Sequence, residues 1–411
     1  MERVRCCIAG GGPAGVMLGL LLVRAGIEVV VLEKHHDFLR DFRGDTVHPS
    51  TLRLLDELGL GERFAALPRG LLTKARLRVE DEAVVVADFG GLRGPHAHIA
   101  MVPQADFLEL LAGAEPGMSL RMDCEVTGLL REGGRVTGVR YRDDRGEVRE
   151  LAADLTVGCD GRWSAVRRAA GLRMREFAVP MDVWQVRVPK GPEPGPDGAV
   201  FIRMAGGQAA ATMDRGDYYQ TAYLIPKGRD AELRRRGLAE FRTRLGALMG
   251  WDAGRLAAIR SWADVHHLDV RMGRLRRWYG DGVLCIGDAA HPMSPTGGVG
   301  VNLAIQDAVA TATLLAAPLR QGRVPTAKLA AIQRRRALPT AAVQQSQRGE
   351  QAMLLAPCLN GTLRRLPAPL RLIGRTPLLQ RFAGFLGGVG FRPEHAPAFA
   401  RRPSTVDGSN R

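Results

Sequence analysis

Three short stretches of this chain combine residue types and spacings suited to holding a phosphorylated ligand. In Gly10-Gly11-Gly12-Pro13-Ala14-Gly15 the glycines fall as G-x-G-x-x-G. Gly10 permits a tight turn, Gly12 lets the backbone approach a diphosphate, and Gly15 lets a following helix pack close to a strand. The free N–H groups and dipole at the start of that helix, around Pro13 and Ala14, favour negative charge. Glu33 and Lys34 follow at the distance where an acid meets an adenosine ribose 2′-hydroxyl. The second stretch is Gly287-Asp288-Ala289-Ala290-His291-Pro292, running into Thr296-Gly297-Gly298-Val299-Gly300-Val301-Asn302. A carboxylate at a strand's C-terminal edge can bond a polyol, and a Gly-rich helix start offers N–H donors to an anionic ring edge. Taken alone, Asp288 reads equally well as a helix N-cap. The third stretch is Cys159-Asp160-Gly161-Arg162-Trp163-Ser164-Ala165-Val166-Arg167, after Leu-Thr-Val-Gly.

The surrounding pattern supplies elements to position them. Residues 3–9 read as a buried strand, 13–25 as a helix and 28–32 as a second strand, which is a βαβ unit opening a parallel sheet. Helices are expected over 49–58 and 104–114. Strands are expected over 73–89 and 120–157, the latter with a Gly-Gly turn at 133–134. Residues 183–188, 200–204 and 218–225 suit an antiparallel sheet, with a helix near 231–248. A buried strand at 283–286, an Ala-rich helix at 298–315 and a helix from 325 towards 355 follow. The fold class is α/β: a Rossmann-like nucleotide-binding domain in three pieces (1–72, 98–178 and 278–340). A mainly antiparallel sheet domain (73–97 and 179–277) is inserted, and a helical C-terminal region (341–395) and a flexible tail (396–411) complete the chain.

Composition narrows the partners. The 411 residues, 45% hydrophobic and 25% charged, suit a globular protein with a sizeable core and exclude a disordered or collagen-like chain. The net charge of +15 raises nucleic acid as a partner, but the Arg residues are scattered and only five Lys occur (34, 74, 190, 227 and 328). That is a compositional bias, and no nucleic-acid partner is expected. Six Cys without a CxxC pair suit small buried hydrophobes and no metal site. His266 and His267 alternate across a strand and do not share a metal, and His291 reads as a turn residue. Glycines interrupt the apolar run 8–23, so no signal peptide is read and a cytoplasmic location is expected. The stretch 354–391, apolar with Arg364, Arg365, Arg371, Arg375 and Arg381, raises interfacial helices. Packing over a substrate entrance or at a dimer interface is the favoured reading. No stable membrane association is expected, and a homodimer is one option.

The three motifs in this order resemble those of the class A flavoprotein monooxygenases, the para-hydroxybenzoate hydroxylase-like family, over roughly residues 3–340. The segments Arg43-Gly44-Asp45-Thr46-Val47-His48-Pro49 and Val102-Pro103-Gln104-Ala105-Asp106-Phe107 extend the resemblance. It implies FAD as cofactor, with the diphosphate on Gly10, Gly12 and Gly15 and the ribose on Glu33. Asp288, with Gly287, would take the ribityl or diphosphate region. Arg43 and Gln104 would line the cofactor, and Gly297, Gly298, Val299, Gly300, Val301 and Asn302 would face the isoalloxazine. Pro295 would lie beside the reacting face, and Asp160 and Gly161 would serve both FAD and NADH or NADPH. The implied reaction is reduction of FAD by NAD(P)H, then a flavin C4a-hydroperoxide from O₂ that hydroxylates an aromatic or other electron-rich small molecule. An oxidase or reductase that moves hydride without inserting oxygen is the alternative. Halogenation is disfavoured because no Trp lies in a WxWxIP pattern. On the substrate side, alternation puts Tyr219 and Tyr223 on one face of a strand expected to roof the flavin. His48 is a candidate acid or base.

Overall fold

The computed structural model describes residues 1–39, 46–191 and 200–403. Strand β1 (Glu2–Ala9), helix α1 (Pro13–Arg24) and strand β2 (Val29–Leu32) form the expected βαβ unit. Strands β3 (Val148–Gly158) and β4 (Val283–Cys285) complete its parallel core. The order across this sheet is β4–β3–β1–β2, extended by Tyr279–Gly280 at one edge and Ser119–Arg121 at the other. Cys6 stands opposite Val29 on one side and Leu155 on the other, and the stretch from Cys6 to Ala9 is buried on both faces as well. A strand with no exposed face needs a nearly continuous apolar run, which Cys-Cys-Ile-Ala and Val-Val-Val-Leu supply. The long helices α2 (Gly300–Arg320) and α3 (Thr326–Glu350) cover this sheet and lead into the C-terminal region. Helix α2 is long and apolar enough to cross a membrane, but 78% of its apolar window is buried inside the protein. It is a core helix here.

The second sheet has seven strands, in the order His266–Leu268, Met181–Pro189, Tyr218–Pro226, Gln208–Asp214, Val200–Ala205, Lys74–Val79 and Glu82–Asp88. All its pairings are antiparallel except that of Val200–Ala205 with Lys74–Val79. The segment from 74 to 88 thus joins strands more than a hundred residues away. One face carries Trp184, Val186, Val188 and Tyr223, packed under the helix Leu238–Met249 with Phe241 and Leu245. On the other face Met181, Val183 and Ala209 meet Leu354, Leu355 and Cys358 from the C-terminal region.

The C-terminal end departs from expectation. Residues 396–403 belong to the packed body. Ala396 and Ala400 are buried in the nucleotide-domain core, the Ala396 N–H donates to Glu57 Oε2 (2.6 Å), and Arg24 Nη1 donates to the Ala400 carbonyl (2.8 Å). Two small side chains at a spacing of four, with their backbone held by distant side chains, leave no signal in a polar-looking sequence. Residues 404–411 lie outside the described residues.

Candidate functional site

A cavity of about 510 Å³ opens where the C-terminal edge of the first sheet faces the second. All three sequence motifs reach it. Gly10, Gly12, Pro13, Ala14, Glu33, Lys34 and Gln104 line it, as do Asp160, Gly161 and Asp288, and Pro295, Gly298, Gly300 and Val301.

The glycine turn does what its spacing demands. Gly10 has φ of +102°, and a Cβ there would stand 2.5 Å from the Cys159 carbonyl oxygen. At Gly15 a Cβ would stand 1.9 Å from the Gly10 carbonyl oxygen, so this glycine packs the helix on the turn and is absent from the cavity wall. Around a Cβ on Gly12 there is open space to 4 Å. That empty cradle at a helix start is where a diphosphate can reach backbone N–H groups. Glu33 also secures the local backbone, its Oε2 accepting from the Gly11 N–H (2.8 Å) and its Oε1 from the His35 N–H (3.1 Å).

The Asp160 and Asp288 turns are braced together. Arg167 Nη1 donates to the Ala289 carbonyl (2.9 Å) and Nη2 to the Arg162 carbonyl (2.7 Å). Asp160 Oδ2 accepts from the Val166 N–H (3.1 Å), while its Oδ1 is buried with no hydrogen-bond partner. Burial pushes the Asp160 carboxyl above the usual range. An acceptor kept dry and unpaired is costly, and a ligand hydroxyl would satisfy it. The open cradle at Gly12 and the orphaned Asp160 oxygen both fit a flavin dinucleotide with its diphosphate and polyol chain.

Not every expected residue reaches the wall. Gly287 is buried behind it, donating its N–H to Asp307 Oδ2 (3.1 Å). Gly297 and Val299 shape the turn into α2 without lining the cavity. Asn302 is a staple: its Oδ1 accepts from the His48 N–H (2.9 Å) and Thr51 Oγ1 (2.8 Å), and its Nδ2 donates to the Thr46 carbonyl (3.2 Å). Arg43 lies outside the described residues.

Three of the four residues expected to be catalytic stand elsewhere. Pro295 is on the wall, but His48 is buried at the head of the helix Pro49–Glu57 and absent from the lining. Its Nδ1 pairs with the Gly387 carbonyl (2.7 Å) and its Nε2 has no partner. Burial drives its pKa down to about 4, so it is neutral at pH 7. Tyr219 and Tyr223 do share a face, but it is the one covered by helices. Tyr219 stacks on Trp251 (5.6 Å), and Tyr223 packs on Trp184 and Phe241 while its hydroxyl donates to Gln208 Oε1 (2.9 Å). Alternation divides a strand into two faces without telling which one meets the ligand. The residues of that sheet region facing the cavity are Gln185 and Leu268. Trp163, Met293 and Ser294 also line the cavity without having been expected there. Trp163 lies within the Asp160 motif, so its neighbours could have pointed to it, whereas Gln185 has no local signal.

The fold and motifs recur in known proteins. The family model described as FAD binding domain matches residues 3–346. The chain is 33% identical over 378 residues to the 6-methylpretetramide 4-monooxygenase of Streptomyces rimosus, covering 90% of this chain and 89% of that one. It is 32% identical over 373 residues to the 12-dehydrotetracycline 5-monooxygenase/anhydrotetracycline 6-monooxygenase of the same species, covering 86% and 70%. Among solved structures, the OxyS anhydrotetracycline hydroxylase from Streptomyces rimosus superposes with a TM-score of 0.74 at 27% identity, over 94% of this chain and 76% of that one.

Proposed function

Starting from a chain that belongs to the FAD-binding family of flavoprotein monooxygenases, we propose that it hydroxylates a fused-ring aromatic small molecule using NAD(P)H and O₂. The observation that carries this reading is one shared cavity reached by the diphosphate turn, by Asp160 and Asp288, and by Pro295 and the start of α2, with Gln185 and Leu268 of the second sheet facing them. The relatives are named for 6-methylpretetramide, 12-dehydrotetracycline and anhydrotetracycline, and those names support the fused-ring substrate class.

Bound FAD would supply the redox chemistry, accepting hydride from NAD(P)H and activating O₂, with one oxygen atom going to the substrate and the other to water. The chain's own residues hold and enclose that chemistry. Gly12 and the first turn of α1 take the diphosphate, with Glu33 and Lys34 beside the adenosine. Asp160 and Asp288 take polyol hydroxyls. The N–H groups of Gly300 and Val301 at the start of α2 favour negative charge on the nearest ring edge, while the Gly298 N–H is spent on the Pro295 carbonyl (3.0 Å). The second sheet excludes water from the space above Pro295. His48, dry and neutral, orients the Thr46–Pro49 segment against Asn302. Tyr219 and Tyr223 brace the sheet from behind.

A cytoplasmic enzyme acting without nucleic acid or stable membrane association completes the reading. The burial of α2 and the six free cysteines support it. The decisive experiment is turnover under ¹⁸O₂ with NADPH or NADH and a panel of anthracyclic and tetracyclic phenols. One labelled oxygen in the product is the expected result. Reduced nicotinamide consumed with only hydrogen peroxide formed, across the panel, would move the assignment to an oxidase or reductase.

A further inference from the structure

Helix α3 turns polar side chains inward where a helix ordinarily packs apolar ones. Arg336, Thr340, Gln344 and Gln347, and just beyond its end Gln351, recur at spacings of three and four along one face. All five are at most 4% exposed. Two of them grip the flavin-facing loop. Gln344 Nε2 donates to the carbonyls of Gly273 (2.7 Å) and Pro292 (3.3 Å). Gln347 Nε2 donates to the carbonyls of Ser294 and Thr296, both at 2.9 Å. Between those last two carbonyls stands Pro295, and Met293, Ser294 and Pro295 are all on the cavity wall.

These amides are there as donors. Gln344 Oε1 and Gln347 Oε1 are buried with no hydrogen-bond partner. A buried acceptor left unpaired is destabilising, and an apolar side chain of the same volume would avoid it. The fold accepts two such orphans to place N–H donors under four backbone carbonyls, three of them in the segment that runs along the cofactor.

We propose that Gln347, backed by Gln344, is a positioning residue for the bound flavin: it fixes the height of the Ser294–Thr296 arch and through it the affinity and reduction potential of the cofactor. This rests on the cavity holding FAD. The same helix supplies an internal control. Gln333 also bonds backbone at both ends of its amide, Nε2 to the Arg276 carbonyl (2.9 Å) and Oε1 from the Trp278 N–H (3.1 Å), away from the Ser294–Thr296 arch.

The experiment compares Gln347→Met, Gln344→Met and Gln333→Met, volume-conserving changes that remove the donors. Apoprotein melting temperature, FAD dissociation constant, visible flavin spectrum and midpoint potential are measured for each. Gln347→Met is expected to weaken FAD binding by about tenfold and to shift both spectrum and potential, with Gln344→Met moving them less. Gln333→Met is expected to lower the apoprotein melting temperature alone. A Gln347→Met protein whose FAD affinity stays within about twofold of wild type, with spectrum and potential unmoved, would overturn the proposal and leave Gln347 a structural residue. Failure of the wild type itself to take up FAD would overturn the cofactor assignment, and this inference with it.

Discussion

Gly12 and Gly15 have the same residue type three positions apart and opposite reasons for it. Gly12 has φ of −76°, which any residue adopts, and open space where a Cβ would go. Gly15 has no room, with the Gly10 carbonyl oxygen 1.9 Å from that position. Gly12→Ala should therefore fold with an unchanged apoprotein melting temperature and lose FAD affinity in a fluorescence titration. Gly15→Ala should cost about 1–3 kcal/mol of stability before any ligand is added, read by chemical denaturation. His48 offers a pH readout at the same scale. Its folded pKa of about 4 lies below the ordinary histidine value of 6.5. Between those two values the unfolded chain binds a proton that the folded one refuses. The stability this confers is complete above about pH 6.5 and is lost as pH falls towards about 4, by roughly 3 kcal/mol at the limit. His48→Asn, which keeps a good residue at the helix start, should flatten the melting temperature across that window relative to wild type.

At the scale of elements, the turn after β4 is secured by a buried ion network. Asp307 on α2 accepts from Arg336 Nε on α3 (2.9 Å), His291 (2.5 Å) and the Gly287 N–H (3.1 Å), and Arg336 reaches Glu394 (3.4 Å). Burial pushes the Asp307 carboxyl up, but His291 and Arg336 hold it below the usual carboxylate range. Asp307→Asn would strand the Arg336 guanidinium with only its weaker partner. A loss of about 3–5 kcal/mol in urea unfolding is expected. Such a network shows why legibility in the sequence was uneven. The strand, glycine turn, helix, strand and acid of residues 2–33 are contiguous, so their spacing alone reveals the βαβ unit and the open cradle at Gly12. Asp307, Arg336 and Glu394 carry no local pattern, and their partnership arises only when two helices and the C-terminal segment converge. The tyrosines at 219 and 223 failed for a related reason. Period-two alternation is symmetric, and the helix Leu238–Met249 chooses which face becomes interior.

For the whole molecule, the C-terminal segment closes the nucleotide domain. Arg335 pairs with Glu394 (2.9 Å), the Arg402 N–H donates to the Glu57 carbonyl (3.2 Å), and Ala396 and Ala400 fill the core. Truncation after Phe391 should expose that core and leave Arg336 short of a partner. A lower melting temperature and weaker FAD retention are expected, even though no described residue beyond 391 lines the cavity. The discontinuity of the first sheet has a further consequence, for the order of events during synthesis. Strand β1 leaves the ribosome well before its neighbour β3, which begins at Val148, and before β4, which begins at Val283. At ordinary elongation rates the edge of β1 away from β2 waits roughly 7–30 seconds for β3, its second parallel partner. Through that interval an apolar strand edge stands open in the nascent chain. A holding chaperone on the N-terminal part of the chain, or slow translation placed only after β4 has emerged, would raise the yield of native enzyme.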